Sequence, residues 1–215
     1  MERSTGLRVP VSLRVWQFPE VRTRAAQRPA GPAPDWAILH EAALAHLARF
    51  ATTEVGLVRV LDRRIDRWAR RAEREGIEAE APLRAARAQA REVARALVSA
   101  GIINETAFAT ARARRLARAG RSRVAVSAHL AAKGVPAEIA EAVLPPPEDE
   151  LAQALAFARR RRFGPFRTEP AVDPDRARRE LAALARAGFP AGIAMRALRM
   201  NADEAAALLA QHREP

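Results

Sequence analysis

The sequence predicts an all-α protein made of three tandem three-helix repeats in an elongated, curved array, with a flexible N-terminal arm. Ala, Arg, Leu and Glu dominate the 215 residues, while Tyr and Cys are absent, and this composition is typical of helical proteins. Apolar residues recur at spacings of three and four along most of the chain. An eleven-residue segment also occurs twice, and such self-similarity indicates stacked copies of one helical unit.

The repeated segment is GVPAEIAEAVL at residues 134–144 and GFPAGIAMRAL at residues 188–198, an offset of 188 − 134 = 54. Gly, Pro, Ala, Ile, Ala and Leu keep their places in both copies. A leucine stands four residues before each glycine, at Leu130 and Leu184. The segment argues for an array of units and against an enzyme built around one deep pocket.

The N-terminal arm is predicted over residues 1–34, which contain five prolines and six arginines against two glutamates. Because proline removes a helix donor, we expect an extended or disordered segment. A brief apolar alternation over residues 7–15 leaves a short strand-like pairing as the alternative.

The first repeat is expected over residues 35–100. The apolar spacing predicts one helix up to Phe50 and a second after Thr52-Thr53, which supplies a break and a plausible N-cap. The polar stretch over residues 73–81 predicts a loop or helix break. A third helix is predicted over residues 83–100 and is ended by Gly101, because glycine is favoured after a helix.

The second repeat is expected over residues 101–147. Asn104 is a good N-cap for its first helix, and Ser122 opens its second helix. Pro136 is predicted to start a short third helix in the first turn. Three prolines at residues 145–147 then close the unit.

The third repeat is expected over residues 148–215. Its first helix aligns with the second repeat at an offset of 154 − 107 = 47, so 54 − 47 = 7 residues have been inserted in the loop that follows. Asp173 and Pro174 predict a restart with an N-cap and a proline in the first turn. Asn201 with Glu204 resembles a capping box and predicts a terminal helix.

The sequence predicts no enzyme, cofactor or metal site. It contains no phosphate-binding loop of the GxxxxGK type and no GxGxxG motif, and its four histidines lack metal-ligand spacing. Asp62 and Asp66 share a helix face and leave a metal-dependent hydrolase as an alternative. Arg63 and Arg67 interleave with them, however, and this pattern is typical of a solvated, salt-bridged face.

Membrane insertion and secretion are not indicated by the sequence. No window approaches 18 consecutive apolar residues, and the N-terminus lacks the apolar core of a secretory signal. We therefore expect a cytoplasmic monomer with no membrane partner.

The net charge of +12 is concentrated in two places. Residues 106–137 contain seven bases and no acid, and residues 151–168 contain five arginines and no acid. At the offset of 47 the arginines of the two first helices superpose, which predicts parallel basic stripes through Arg112/Arg115 and Arg159/Arg162. A stacked basic face would suit a phosphate backbone or an acidic protein groove, whereas the alternative is a solvated arginine face. The predicted contact residues are Arg112, Arg114, Arg115, Arg118, Arg121, Arg123, Lys133, Arg159, Arg161, Arg162 and Arg167.

Several short motifs follow one another between residues 36 and 200. They are LVSAGIINETAFA at 97–109, Gly120, LAAKGV at 130–135, IAEAVL at 139–144 and AFARRRRFGPF at 156–166. Their order and spacing resemble the RecX family, regulators of the RecA recombinase. Asn104-Glu105 departs from the acidic pair that the family usually carries after the glycine.

The resemblance implies an elongated array of three-helix repeats without catalytic residues. It also implies a protein that lies in the groove of the RecA–DNA filament and inhibits strand exchange, ATP hydrolysis and coprotease activity. Single- or double-stranded DNA would be bound weakly and without sequence preference. The alternative is a sequence-independent DNA-binding protein that acts without RecA.

Overall fold

The computed structural model describes residues 29–168 and 173–212. Within these ranges the chain forms ten α-helices and two short 3-10 turns, with no strand, which confirms the all-α class. The strand-like alternative and most of the predicted arm concern residues 1–28, which lie outside the described ranges.

The helices fall into three consecutive units. The first unit comprises α1 (Trp36–Leu47), α2 (Glu54–Arg74) and α3 (Glu80–Ser99). The second comprises α4 (Glu105–Arg118), α5 (Arg123–Ala132) and α6 (Ala137–Ala142). The third comprises α7 (Glu150–Arg161), α8 (Pro174–Arg186), α9 (Ala191–Arg199) and the terminal α10 (Ala202–Gln211).

Each unit buries its own apolar core, as expected for an array of repeats. Leu61 and Leu97 are central to the first core, Leu130 to the second, and Leu155 and Leu184 to the third. The two leucines that precede the repeated glycines are therefore core residues of α5 and α8.

The helix starts follow from local capping. The side chains of Thr53, Asn104 and Ser122 accept hydrogen bonds from the Gly56, Ala107 and Ala125 amides at 2.9, 2.8 and 3.1 Å. These bonds satisfy amides that have no partner inside the helix. The predicted starts of α2, α4 and α5 are thus confirmed.

Two other starts differ from the expectation, and a third differs only in the amide that is capped. Pro136 is the residue before α6 rather than its first member. Helix α3 begins at Glu80, so that Pro82 lies within its first turn, where a missing amide donor is tolerated. Helix α10 begins after Asn201 as expected, but the Asn201 side chain accepts from the Asp203 amide at 2.7 Å, whereas a capping box uses the amide of the following residue.

The first unit carries an extension that the other units lack. Helix α2 has 21 residues and α5 has 10, and the extra turns form a small additional core around Trp68 and Ala72. The Trp68 Nε1 donates to the Gly31 carbonyl at 3.1 Å, and the Ala30 amide donates to Glu75 Oε1 at 2.9 Å. Residues 29–34, the end of the predicted arm, are therefore packed against the first unit rather than disordered.

The units are joined by a hydrogen bond that occurs at both boundaries. Thr53 Oγ1 donates to the Lys133 carbonyl at 2.6 Å, and Ser122 Oγ donates to the Ala187 carbonyl at 2.7 Å. In each case the N-cap hydroxyl of one unit's second helix reaches the end of the next unit's second helix. One hydroxyl therefore begins a helix and also holds the neighbouring unit.

The glycine of the repeated segment lies at the same boundary. Gly134 and Gly188 have φ values of +79° and +86°, which L side chains rarely adopt. A Cβ on Gly134 would lie 2.4 Å from the Cβ of Val55, and one on Gly188 would lie 2.8 Å from Ser122 Oγ and 3.3 Å from the Cβ of Val124. Glycine is required both by the backbone and by the close approach of the preceding unit.

A glutamate completes each boundary. Glu105 Oε1 accepts from the Glu54 amide at 2.9 Å, and Glu150 Oε1 accepts from the Arg123 amide at 3.4 Å. Each acceptor is the first residue of its own unit's first helix, and each donor is the first amide of the preceding unit's second helix. We call this set of hydroxyl, glycine and glutamate contacts the joint.

Candidate nucleic-acid interface

Three of the eleven predicted contact residues are engaged within the protein. Arg167 is the clearest case, because its side chain is only 13% exposed and pairs with Glu180, itself 2% exposed. Arg167 Nε donates to Glu180 Oε1 at 2.9 Å, and the Gly164 amide donates to Glu180 Oε2 at 3.0 Å. Arg167 therefore fixes the loop after α7 onto α8, with its guanidinium held by Glu180.

The pKa values of this pair reflect their contacts. Burial raises the pKa of Glu180, but hydrogen bonds from Arg167, the Gly164 amide and Arg176 together outweigh burial and leave that pKa below its ordinary value. The hydrogen bond to Glu180 raises the pKa of Arg167. Both groups are charged at neutral pH.

Arg123 and Arg112 hold the second unit together. The Arg123 guanidinium donates to the Pro145 carbonyl and lies 3.7 Å from Glu141, so it ties the start of α5 to the end of α6. Arg112 Nε donates to His129 Nε2 at 2.8 Å, which links α4 to α5. Burial, followed by the charges of Arg112 and Lys133, lowers the pKa of His129 and keeps its ring neutral.

The predicted regular stripes are not what the structure shows. Arg112 is half-buried against His129, and Arg162 lies beyond the end of α7 with a left-handed φ of 55°. Arg115 and Arg159 remain exposed on α4 and α7. The prediction assumed that Arg112, Arg115, Arg159 and Arg162 all lie in regular helices. Helix α7 ends at Arg161, so Arg162 does not continue the helical face of Arg159.

The other eight predicted residues are exposed. Within the described ranges none of them forms an ion pair with a carboxylate. They are Arg114, Arg115, Arg118, Arg121, Lys133, Arg159, Arg161 and Arg162. This set, called the exposed basic surface below, spans the second unit and the first helix of the third.

Part of the exposed basic surface lies next to an acidic group. Arg114 and Arg118 line an open groove between α4, the end of α6 and the third unit, together with Asp149 and His212. His212 Nδ1 lies 3.7 Å from Asp149 Oδ1. A phosphate in this groove would meet the carboxylate as well as the arginines.

A second depression contains arginines without any acid. Arg121, from the turn before α5, and Arg161, at the end of α7, line a cavity of about 300 Å³ together with Arg186 of α8. Arg186 was absent from the sequence-based candidates because it lies outside both acid-free stretches. No signal in the sequence marks it, because its counterpart in the second unit, at the offset of 54, is Ala132.

One of the two carboxylates considered for a metal site is paired with an arginine. Asp66 lies 2.9 Å from a guanidinium nitrogen of Arg87. No group of three His, Asp or Glu side chains in residues 29–168 and 173–212 is suited to hold a metal ion. Across those same ranges no helix has both the length and the apolarity needed to cross a membrane.

Comparison with known proteins gives consistent matches. The family model for the second three-helix domain of RecX matches residues 104–144, which contain α4 to α6. A regulatory protein RecX of Myxococcus xanthus (strain DK1622) is 38% identical over 183 residues, covering 84% of this chain and 93% of that protein. A regulatory protein RecX of Agrobacterium fabrum (strain C58) is 38% identical over 109 residues, covering 50% of this chain and 57% of that protein. No solved structure matches the chain significantly.

Proposed function

The chain belongs to the RecX family of regulatory proteins, and from this premise we propose that it binds the RecA recombinase and its DNA filament and restrains the filament's activities. Strand exchange, ATP hydrolysis and coprotease activity would each be inhibited. The proposed site of action is the cytoplasm, with the protein binding as a monomer in the filament groove. The similarity to a regulatory protein over 84% of the chain is the observation that carries this proposal.

The charge distribution supports an electrostatic contact. Five members of the exposed basic surface lie within residues 104–144, the range that the family model matches. A filament on DNA presents phosphates and acidic side chains, and an unpaired arginine can contact either through charge-assisted hydrogen bonds. We assign the contact to the eight exposed bases and not to Arg112, Arg123 and Arg167, whose side chains hold the fold.

The test measures ATP hydrolysis by RecA on single-stranded DNA with increasing amounts of this protein. We expect the rate to fall at stoichiometric ratios. The triple variant Arg114→Gln/Arg115→Gln/Arg118→Gln should need a higher concentration for the same inhibition. Equal removal of charge from the first unit, by Arg63→Gln/Arg70→Gln/Arg91→Gln, should leave inhibition near wild type, because these exposed arginines lie outside the proposed contact.

An unchanged ATPase rate with wild-type protein at stoichiometric ratios would contradict the proposal. Equal effects of the two triple variants would contradict the assigned surface and leave net charge as the cause.

A second candidate function is sequence-independent DNA binding without RecA. The exposed arginines around the short turn between α4 and α5 favour it, since that connection resembles a helix–turn–helix arrangement. Titration of duplex DNA without RecA separates the two candidates. Tight binding with a salt slope of about −0.9 per neutralised phosphate would favour direct DNA binding, whereas weak binding that strengthens with RecA would favour the filament.

A further inference from the structure

The cavity lined by Arg121, Arg161 and Arg186 crosses the joint between the second and third units. Arg121 belongs to the second unit, and the other two arginines belong to the third. Within the described ranges none of the three is paired with a carboxylate, and none of the other residues lining the cavity is acidic. Three positive charges therefore face one small volume without compensation.

The backbone around the cavity holds these arginines in place. Arg121 immediately precedes Ser122, and Arg186 immediately precedes Ala187, so the joint hydrogen bond of 2.7 Å holds their backbones near each other. Gly120 is buried against α7, where a Cβ would lie 2.6 Å from the Phe157 amide nitrogen. The turn that carries Arg121 is thus pressed against the helix that carries Arg161.

An aromatic side chain orients the third guanidinium. The Cζ of Arg161 lies 5.0 Å from the centroid of the Phe157 ring, in cation–π contact. The Phe157 ring packs edge-on against Phe163 and Phe189, with centroids 6.5 and 5.8 Å away. Because Phe157 is fixed in the core of the third unit, Arg161 rests on a rigid support.

The first joint serves as an internal control for this cluster. The joint hydroxyls correspond at 122 − 53 = 69, so the counterpart of Arg121 is Thr52. The joint carbonyls correspond at 187 − 133 = 54, so the counterpart of Arg186 is Ala132. The same joint forms at the first boundary without these two arginines, and the cluster is therefore not a requirement of the architecture.

We propose that this cavity binds one phosphodiester group of a nucleic-acid backbone and that the bound phosphate bridges the second and third units. Guanidiniums that face one volume from three directions can donate together to the two non-bridging oxygens of a phosphodiester, and their planar fork of donors matches phosphate geometry. The volume of about 300 Å³ lies at the lower end of small-ligand pockets, which suits a single group rather than a cofactor. The inference rests on the proposed function only in that it supplies the nucleic acid.

The test compares variants of the full chain for binding to a short fluorescein-labelled single-stranded DNA, without RecA, by fluorescence anisotropy. The variant Arg121→Lys/Arg161→Lys/Arg186→Lys keeps the charge but loses the planar fork of donors. We expect its dissociation constant to rise at least about tenfold, because charge-assisted hydrogen bonds are lost. The control variant Arg63→Lys/Arg70→Lys/Arg91→Lys, at exposed positions of the first unit, should bind as the wild type does.

If the triple lysine variant of the cavity bound DNA as tightly as the wild type, the inference would be overturned, because positive charge alone would then suffice for binding. Equal losses in the two variants would overturn it too. Loss of binding to RecA with unchanged binding to DNA would assign the cavity to a protein carboxylate and would also contradict it. Thermal unfolding of each variant is measured to check that the fold is retained.

The outcome is separable from that of the RecA test. If the cavity variant loses DNA binding while wild-type protein leaves RecA ATPase unchanged, the phosphate site stands and the regulatory proposal fails. If RecA is inhibited equally by the wild type and the cavity variant, and DNA binding is also equal, the phosphate site fails alone.

Discussion

Glu180 shows how one buried carboxylate decides what an arginine can do. Its side chain is almost fully buried and gathers Arg167, Arg176 and the Gly164 amide around the loop that follows α7. A buried carboxylate without partners would be costly, so the basic partners are needed where they are. Arg167 therefore cannot leave the loop for a ligand without leaving Glu180 uncompensated.

Glu180→Gln is predicted to lower the free energy of unfolding by about 3 kcal/mol at pH 7, because it leaves buried Arg167 without its counter-charge. Since the folded-state pKa of Glu180 is lowered, its stabilisation is complete above the unfolded pKa of about 4.3 and is lost as pH falls through the folded value. The wild type should therefore lose more stability than Glu180→Gln on acidification from that unfolded value towards the lower folded one. Urea unfolding at a series of pH values measures both effects.

Glu78→Gln is the matched control, because Glu78 is exposed in the loop before α3. It should change the unfolding free energy by less than about 0.5 kcal/mol. Similar losses for the two substitutions would contradict the role given to the buried pair.

At the scale of the element, the joint explains the glycines of the repeated segment. In the sequence Gly134 and Gly188 indicate only the end of one helix and the start of another. The structure shows that the preceding unit, through Val55 at one joint and through Ser122 and Val124 at the other, occupies the space where a side chain would stand. The same segment occurs twice because each copy packs against the equivalent part of the unit that precedes it.

Gly134→Ala and Gly188→Ala are each predicted to lower the unfolding free energy by about 2–6 kcal/mol. The left-handed backbone and the overpacking each contribute about 1–3 kcal/mol. Gly101→Ala, at φ +70° with open space around it, should show only the backbone contribution. Chemical denaturation of the three variants checks the order.

Gly192→Ala, in the same repeated segment, is predicted to raise the free energy of unfolding. Gly192 is helical, and a Cβ there meets nothing within 4 Å. The substitution should stabilise the chain by about 0.5–1 kcal/mol, because alanine favours helix. Destabilisation at Gly192 as large as at Gly188 would contradict the explanation from the joint.

Several helix starts could be predicted from the sequence, because the hydrogen bonds that cap a helix join residues close together in the chain. Thr53, Asn104 and Ser122 cap amides three residues away, a range over which a sequence pattern is readable. The joint was not predictable, because Thr53 meets the Lys133 carbonyl 80 residues away. A count of charges along the sequence also placed Arg167 among the contact residues. Such a count says nothing about the burial of Glu180, which holds Arg167 in the fold.

At the scale of the whole molecule, stability is divided among the cores of three units, which are connected by two joints. The two joints use the same classes of contact, and each core lies within one unit. In such arrays the total stability is close to a sum of unit and interface contributions. The cooperativity of unfolding therefore depends on the joints.

Thr53→Val/Ser122→Ala is predicted to separate the unfolding of the units, because both joint carbonyls lose their donor. The wild type should unfold in one calorimetric transition, and the variant in a broader or split one. Asn104→Ala is the control, since Asn104 caps α4 but makes no joint contact. It should lower the melting temperature, through a loss of about 1 kcal/mol, without splitting the transition. One sharp transition in the double variant would show that other contacts couple the units.

The repetition of the joint also has a geometric consequence. Two boundaries built from the same hydroxyl, glycine and glutamate should relate successive units by nearly the same rotation and translation. A screw operation applied repeatedly generates a superhelix, and a protein filament is itself generated by one screw operation. Changing Gly134 or Gly188 would then alter not only stability but also the pitch of the superhelix that the units form.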